Sequence, residues 1–131
     1  MMRAALLALA LAACAAQTAQ PAPAFDLTGT HWQRADDADA APHFPTLAFT
    51  ARGASGYSGC NRWFAAVTRD AQTLRFGNVG MTRMACAEPA MAAEHNFADA
   101  IERTRAYRAN AEELVLLDEA GAVTARFARA D

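Results

Sequence analysis

The stretch Ser-Gly-Tyr-Ser-Gly-Cys-Asn-Arg-Trp-Phe, residues 55 to 64, concentrates more potential chemistry than any other part of the chain. Nucleophile, metal ligand and disulfide are the three chemistries that compete for it. The order Gly56-Tyr57-Ser58-Gly59 approaches the Gly-x-Ser-x-Gly turn that exposes a serine nucleophile, but the position two after Ser58 is Cys60 and the next residues are strand-like rather than helical. The motif lacks its last glycine, and Ser58 reads better as a turn hydroxyl. A zinc site would need Cys60, Cys86 and two of His31, His43 and His95, yet no close ligand pair such as Cys-x2-Cys or His-x3-His is present. A cysteine nucleophile beside a second thiol in an oxidising compartment would be consumed by its neighbour.

The third chemistry is a disulfide, and the start of the chain supplies the compartment for it. Residues 1–13 carry one positive charge at Arg3 followed by ten apolar residues from Ala4 to Ala13, the pattern of a secretory signal peptide. That run is too short to span a membrane, which takes about 20 apolar residues. Leu11-Ala12-Ala13-Cys14 resembles the bacterial lipobox, in which a peptidase cuts before a lipid-bearing cysteine. Ordinary cleavage nearby, after Ala16, is the alternative and leaves Cys14 without a role. With Cys14 taken by lipid, Cys60 and Cys86 remain as an even pair. Closing that loop of 27 residues would stabilise the fold by about 3.5 kcal/mol in the chain-entropy model.

Other single residues read as structural. His95 sits at the edge of a helical apolar face and His43 in a loop. Asp36, Asp37 and Asp39 form an acidic loop cluster without the glycine turn and distal glutamate that a calcium loop uses. Arg62 and Arg83 each lie close to a cysteine, so a disulfide brings them together, and pairing with Glu88 or Glu94 is expected over anion binding.

Several short elements must position these residues. Period-two alternation predicts strands over 27–33, with Thr30 and Trp32 on one face, and over 45–50, with Leu47 and Phe49 on one face. A polar loop, 34–44, separates them, and a glycine-broken turn over 51–56 comes next. Further strands are predicted over 62–68, carrying Trp63 or Phe64 inward, over 73–77, over 78–86 with Thr82 and Met84 in register, and over three final segments in "RAYRANA", "ELVLLD" and "AVTARFA". Between them the period lengthens: Met91, Glu94, His95, Ala98 and Ile101 fall at helical spacing behind Pro89, which predicts an amphipathic helix over about 89–104. The expected fold is mainly β (α+β), a small curled antiparallel sheet or half-barrel with that helix capping or covering it.

Composition limits the partners. Residues 14–25 read as a lipidated cysteine and an extended tether with two prolines, which leaves one domain over 26–131. Every basic residue is arginine, and without Arg3 there are 11 arginines against 14 acids. No basic stripe is visible, so nucleic acid is not an expected partner. No cofactor is implied. Alanine makes up much of the 53% hydrophobic content and buries little, so a core this small profits from a covalent staple.

Taken in order, these pieces resemble the META domain family, the HslJ-like lipoproteins of bacterial envelopes. The resemblance runs through Gly29-Thr30-x-Trp32, Pro45-x-Leu47-x-Phe49, Gly59-Cys60-Asn61-Arg62, Leu74-x-Phe76-Gly77 and Thr82-x-Met84-Ala85-Cys86. It continues through Met91, Glu94 and Phe97, then Leu114-x-Leu116-x-Asp118, Gly121 and Phe127. Two features depart from it: Ala87 and Glu88 precede Pro89, where the family often places proline straight after the second cysteine, and the loop before Pro45 is long. The resemblance implies a β-rich fold with one helix, an envelope location and, in some members, a link with heat shock or antibiotic tolerance; it implies no catalytic residue. The expected protein is thus non-enzymatic and lipid-anchored through Cys14 on the periplasmic face of the outer membrane of a Gram-negative cell. There it binds an envelope component or, alternatively, carries a small apolar ligand in a barrel mouth lined by Trp32, Phe49 and Phe76.

Overall fold

A computed structural model of the chain describes residues 14–16 and 23–131. The expected signal peptide, 1–13, and most of the expected tether lie outside the described residues. Nine strands and one helix run in the order β1 (His31–Arg34), β2 (Thr46–Phe49), β3 (Gly53–Tyr57), β4 (Arg62–Asp70), β5 (Thr73–Phe76), β6 (Gly80–Met81), α1 (Ala90–Arg103), β7 (Ala106–Ala109), β8 (Glu113–Leu117) and β9 (Val123–Arg129). All pairings are antiparallel, in the order β3-β2-β1-β9-β8-β7-β5-β4-β6, and an additional β3–β4 pairing closes the sheet into a ring. The ring is uneven. β8 and β9 share five registered pairs, whereas β5 and β7 share one, Thr73 with Ala106.

Alternation along the strands sends one set of side chains inward. On β4 Trp63 and Ala65 are buried while Arg62, Phe64 and Ala66 face out, so Trp63 is the inward aromatic. Aromatic rings fill the interior in a continuous series: Phe49 against Phe76, Phe76 against Trp63, Trp63 against Phe97, and Phe97 against Phe127, with centroids 5.1 to 6.4 Å apart. Such rings add to stability beyond the area they bury.

Helix α1 presents Ala90, Ala93, Phe97, Ala100 and Ile101 to this core, matching its period of 3.6. It begins one residue later and ends one earlier than the predicted 89–104, with Pro89 just outside its first turn. The helix touches the short 3-10 turn at Ala38–Ala40, which comes after β1, and so caps one mouth of the ring. Phe25 and Leu27, which precede β1, close the other mouth: Phe25 meets Trp32 edge-on and the Tyr107 hydroxyl lies 3.2 Å from the Phe25 and Ala71 carbonyl oxygens. Burial at that site pushes the Tyr107 phenol above its usual pKa.

Four expectations need correction. The predicted strand over 27–33 starts only at His31, because Thr30 is spent on a turn: its N–H and its hydroxyl both donate to the Leu27 carbonyl. Thr30 and Trp32 nevertheless share the inner face, joined by a 2.6 Å bond from Trp32 Nε1 to Thr30 Oγ1. The segment 51–56, read as a turn, holds most of β3, whose small residues pair along five positions with β4. The polar loop 34–44 contains the 3-10 turn, with Ala40 buried. The strand predicted over 78–86 shrinks to Gly80–Met81, since beyond it the backbone is held by a side chain instead of a ladder.

Candidate functional site

The side chain that ends the ladder belongs to Asn61. The tight Ser58–Asn61 turn between β3 and β4, closed by a bond from the Ser58 N–H to the Asn61 carbonyl, buries Asn61 to 2% exposure. Its Oδ1 accepts from the Met84 N–H at 2.7 Å and from the Thr82 hydroxyl at 3.0 Å, while its Nδ2 donates to the Met84 carbonyl at 3.1 Å and to Glu94 Oε1 at 2.9 Å. Thr82 also binds across to Arg62: the Arg62 N–H donates to the Thr82 hydroxyl and the Thr82 N–H to the Arg62 carbonyl. One amide thus ties the turn, the segment after β6 and helix α1 together.

Glu94 completes this node. Its Oε1 lies 2.5 Å from Ser58 Oγ and also receives the Asn61 N–H at 3.2 Å. The helix can come this close because residue 59 is glycine: a Cβ there would stand 2.7 Å from the Ala93 Cβ, and its φ of +110° favours glycine as well. Ser58 is fully buried, its hydroxyl shared between Glu94 and the backbone of Asn61, and no histidine bonds it among the described residues. It is a turn residue here, not a presented nucleophile.

Beside the node, Cys60 and Cys86 form a disulfide with their Cα atoms 5.9 Å apart, within the usual bridging range. Cys14 is exposed and outside any disulfide. Among the described residues no three histidine, cysteine, aspartate or glutamate side chains gather as a metal would require. His43 approaches the Tyr57 hydroxyl at 3.3 Å, while Asp36 pairs with Arg34 and Asp37 accepts from Asn96. The pairing expected for the two arginines does not form: Glu94 is committed to Ser58 and Asn61, and Glu88 accepts the Ala92 N–H. Arg62 and Arg83 instead stand exposed, without an ion pair among the described residues.

A groove of about 580 Å³ runs between α1 and the β5–β6 segment, with Phe76, Val79, Met81, Ala98 and Ile101 on its apolar side and Arg75 and Arg105 among its polar lining. A second hollow continues from Val79 and Met81 to Met84 and Met91. Phe76 alone of the three residues expected around a barrel-mouth ligand lines this groove; Trp32 and Phe49 are 0% and 2% exposed and packed. No local sequence signal marks this groove, because its walls meet only when β6 and α1 fold side by side.

The comparisons with known proteins decide the family. The META domain model matches residues 25–131. This chain belongs to the META domain family. Its META domain is similar to an NMR structure of a protein from Burkholderia xenovorans, at 28% identity and a TM-score of 0.61, covering 87% of this chain and 94% of that one. A second NMR structure, 18% identical with a TM-score of 0.60, covers 78% of this chain and 90% of its own and shares the fold. No curated protein matches the chain. Within the META domain, Gly59, Asn61, Thr82 and Met84 meet at one node, and Gly29, Thr30 and Trp32 build the opposite mouth. No helix of the described residues is long and apolar enough to cross a membrane.

Proposed function

We propose that this META domain protein is a non-enzymatic lipoprotein, held by acyl chains on Cys14 at the periplasmic face of the outer membrane. There it supports envelope integrity or tolerance of stress and antibiotics by binding another envelope component. The observation that carries this reading is the division of the three cysteines: Cys60 and Cys86 are bonded to each other, and Cys14, at the end of the lipobox-like sequence, is exposed and free of them. Two or more acyl chains give stable anchoring where one does not. The packed interior favours a binding surface over a ligand carrier, because Trp32 and Phe49 already occupy the space a barrel-mouth ligand would need.

The test is metabolic labelling with a fatty acid followed by membrane fractionation. The native chain incorporates label and sediments with outer membrane, and Cys14→Ala does neither. A Cys14→Ala chain that remains acylated and membrane-bound overturns the proposal.

A further inference from the structure

Beyond Met1 and Met2 the chain has three methionines, Met81, Met84 and Met91. All three line one hollow of about 470 Å³, whose wall also includes Asn61 and Glu94 of the node. They come to it from different elements: Met81 from β6, Met84 from the segment after it, and Met91 from the first turn of α1.

Core packing explains only part of this gathering. Met81 and Met91 are half-buried, and Met81 packs against the core edge, but Met84 is 59% exposed. A side chain so open gains little from burial. Its backbone is nevertheless fixed on both sides, the N–H and the carbonyl each bonded to the Asn61 side chain. The same amide locates the other two. Met81 precedes Thr82, whose hydroxyl donates to Asn61 Oδ1. Met91 lies three residues before Glu94, a spacing that puts both on one helix face, and Glu94 is held by Ser58 and Asn61. A methionine side chain has three rotatable bonds and a polarizable sulfur, so three of them around one hollow can turn toward a common centre while their backbones stay still.

The donor type selects the ion. Thioether sulfur is neutral and soft, which favours copper(I) over the hard cations that carboxylate and water bind. It is also a different donor from the histidine, thiolate and carboxylate groups, which do not gather among the described residues. Glu94 and Arg83 both line the hollow, so its formal charges cancel and a singly charged ion meets no net repulsion. The thiols that would otherwise compete for such an ion are bonded to each other as Cys60–Cys86.

We propose that Met81, Met84 and Met91 form a binding site for one soft monovalent metal ion, copper(I) or silver(I), held through their thioether sulfurs. The site belongs to the folded domain. Neither acylation of Cys14 nor an envelope partner enters it, so its failure and the failure of the lipoprotein reading are separate results.

Titration of silver(I) nitrate, in chloride-free buffer, into residues 14–131 carrying Cys14→Ser tests this with the disulfide oxidised and no free thiol present; every core residue among the described ones lies within this span. With the methionine methyl groups isotope-labelled for NMR, all three resonances shift together and stop moving at one equivalent. Copper(I), kept reduced by ascorbate under nitrogen, moves the same three, and equimolar zinc does not displace the silver. Leucine keeps the volume and apolarity of methionine but has no sulfur. Met81→Leu, Met84→Leu and Met91→Leu each lower the affinity at least about ten-fold, a loss usual even for groups that only orient a ligand. The triple variant loses saturable binding, and its NMR spectrum shows whether the fold is kept. The proposal is overturned if neither ion binds saturably, if the single and triple leucine variants bind silver as the native side chains do, if the shifts fall on His31, His43 or His95 instead, or if zinc displaces the silver.

Discussion

Asn61 shows how much one buried amide can organise when every polar atom finds a partner. Its Oδ1 and Nδ2 between them serve Thr82, Met84 and Glu94, while its N–H serves Ser58 and Glu94. Truncation would remove the partners of the Met84 backbone and the Glu94 carboxylate at an amide that is itself buried, where lost hydrogen bonds cost more than at the surface. Asn61→Ala is expected to lower stability by about 2–4 kcal/mol in urea unfolding with the disulfide kept oxidised. A loss below about 0.5 kcal/mol would mean that water replaces the amide and that the node is not a determinant of the fold. The residue types here were legible in the sequence as a motif, but their partners were not. Glu94 is 33 positions from Asn61, and nothing local to either residue indicates that they meet.

At the level of elements, the disulfide and the node act on the same joint, between the β3–β4 turn and the chain entering α1. The bridge closes a sequence separation of 26 residues, and its removal in a Cys60→Ser, Cys86→Ser chain is expected to cost about 3.5 kcal/mol. Chemical denaturation of the reduced or doubly substituted chain checks this; an unchanged midpoint would show that the Asn61 contacts hold the joint unaided. The helix and several strands were legible because their apolar periods are regular, as in Leu47 and Phe49 on β2 or Phe97 and Ile101 on α1. β3 was not, since Gly53, Ala54, Ser55 and Gly56 carry too little hydrophobic contrast to show alternation, and only pairing with β2 and β4 makes them a strand. β6 was overextended because Thr82 and Met84 keep the strand rhythm while their backbone is captured by Asn61. The groove beside α1 was invisible for the same reason, its walls being brought together by tertiary contacts alone.

Among the described residues, the buried core runs from Leu27 to Phe127, with Phe25 packed at the edge. A chain of residues 25–131 should therefore match residues 14–131 in thermal and denaturant unfolding to within about 0.5 kcal/mol. A deficit above about 2 kcal/mol would show that the segment before Phe25 packs on the domain and is more than a tether.

Closing the ring has a further effect, on how copies of the chain treat one another. An open sheet ends in rows of unpaired N–H and C=O groups that invite another chain to continue it. Among the described residues eight strands close on themselves, though β5 and β7 share a single registered pair, and β6, two residues long, stands at the margin with Thr82 and Met84 immediately tied down by Asn61. A neighbour could add no more than a rung or two before meeting that clasp. So short a free edge at β6 gives another copy of the chain little ladder to extend there.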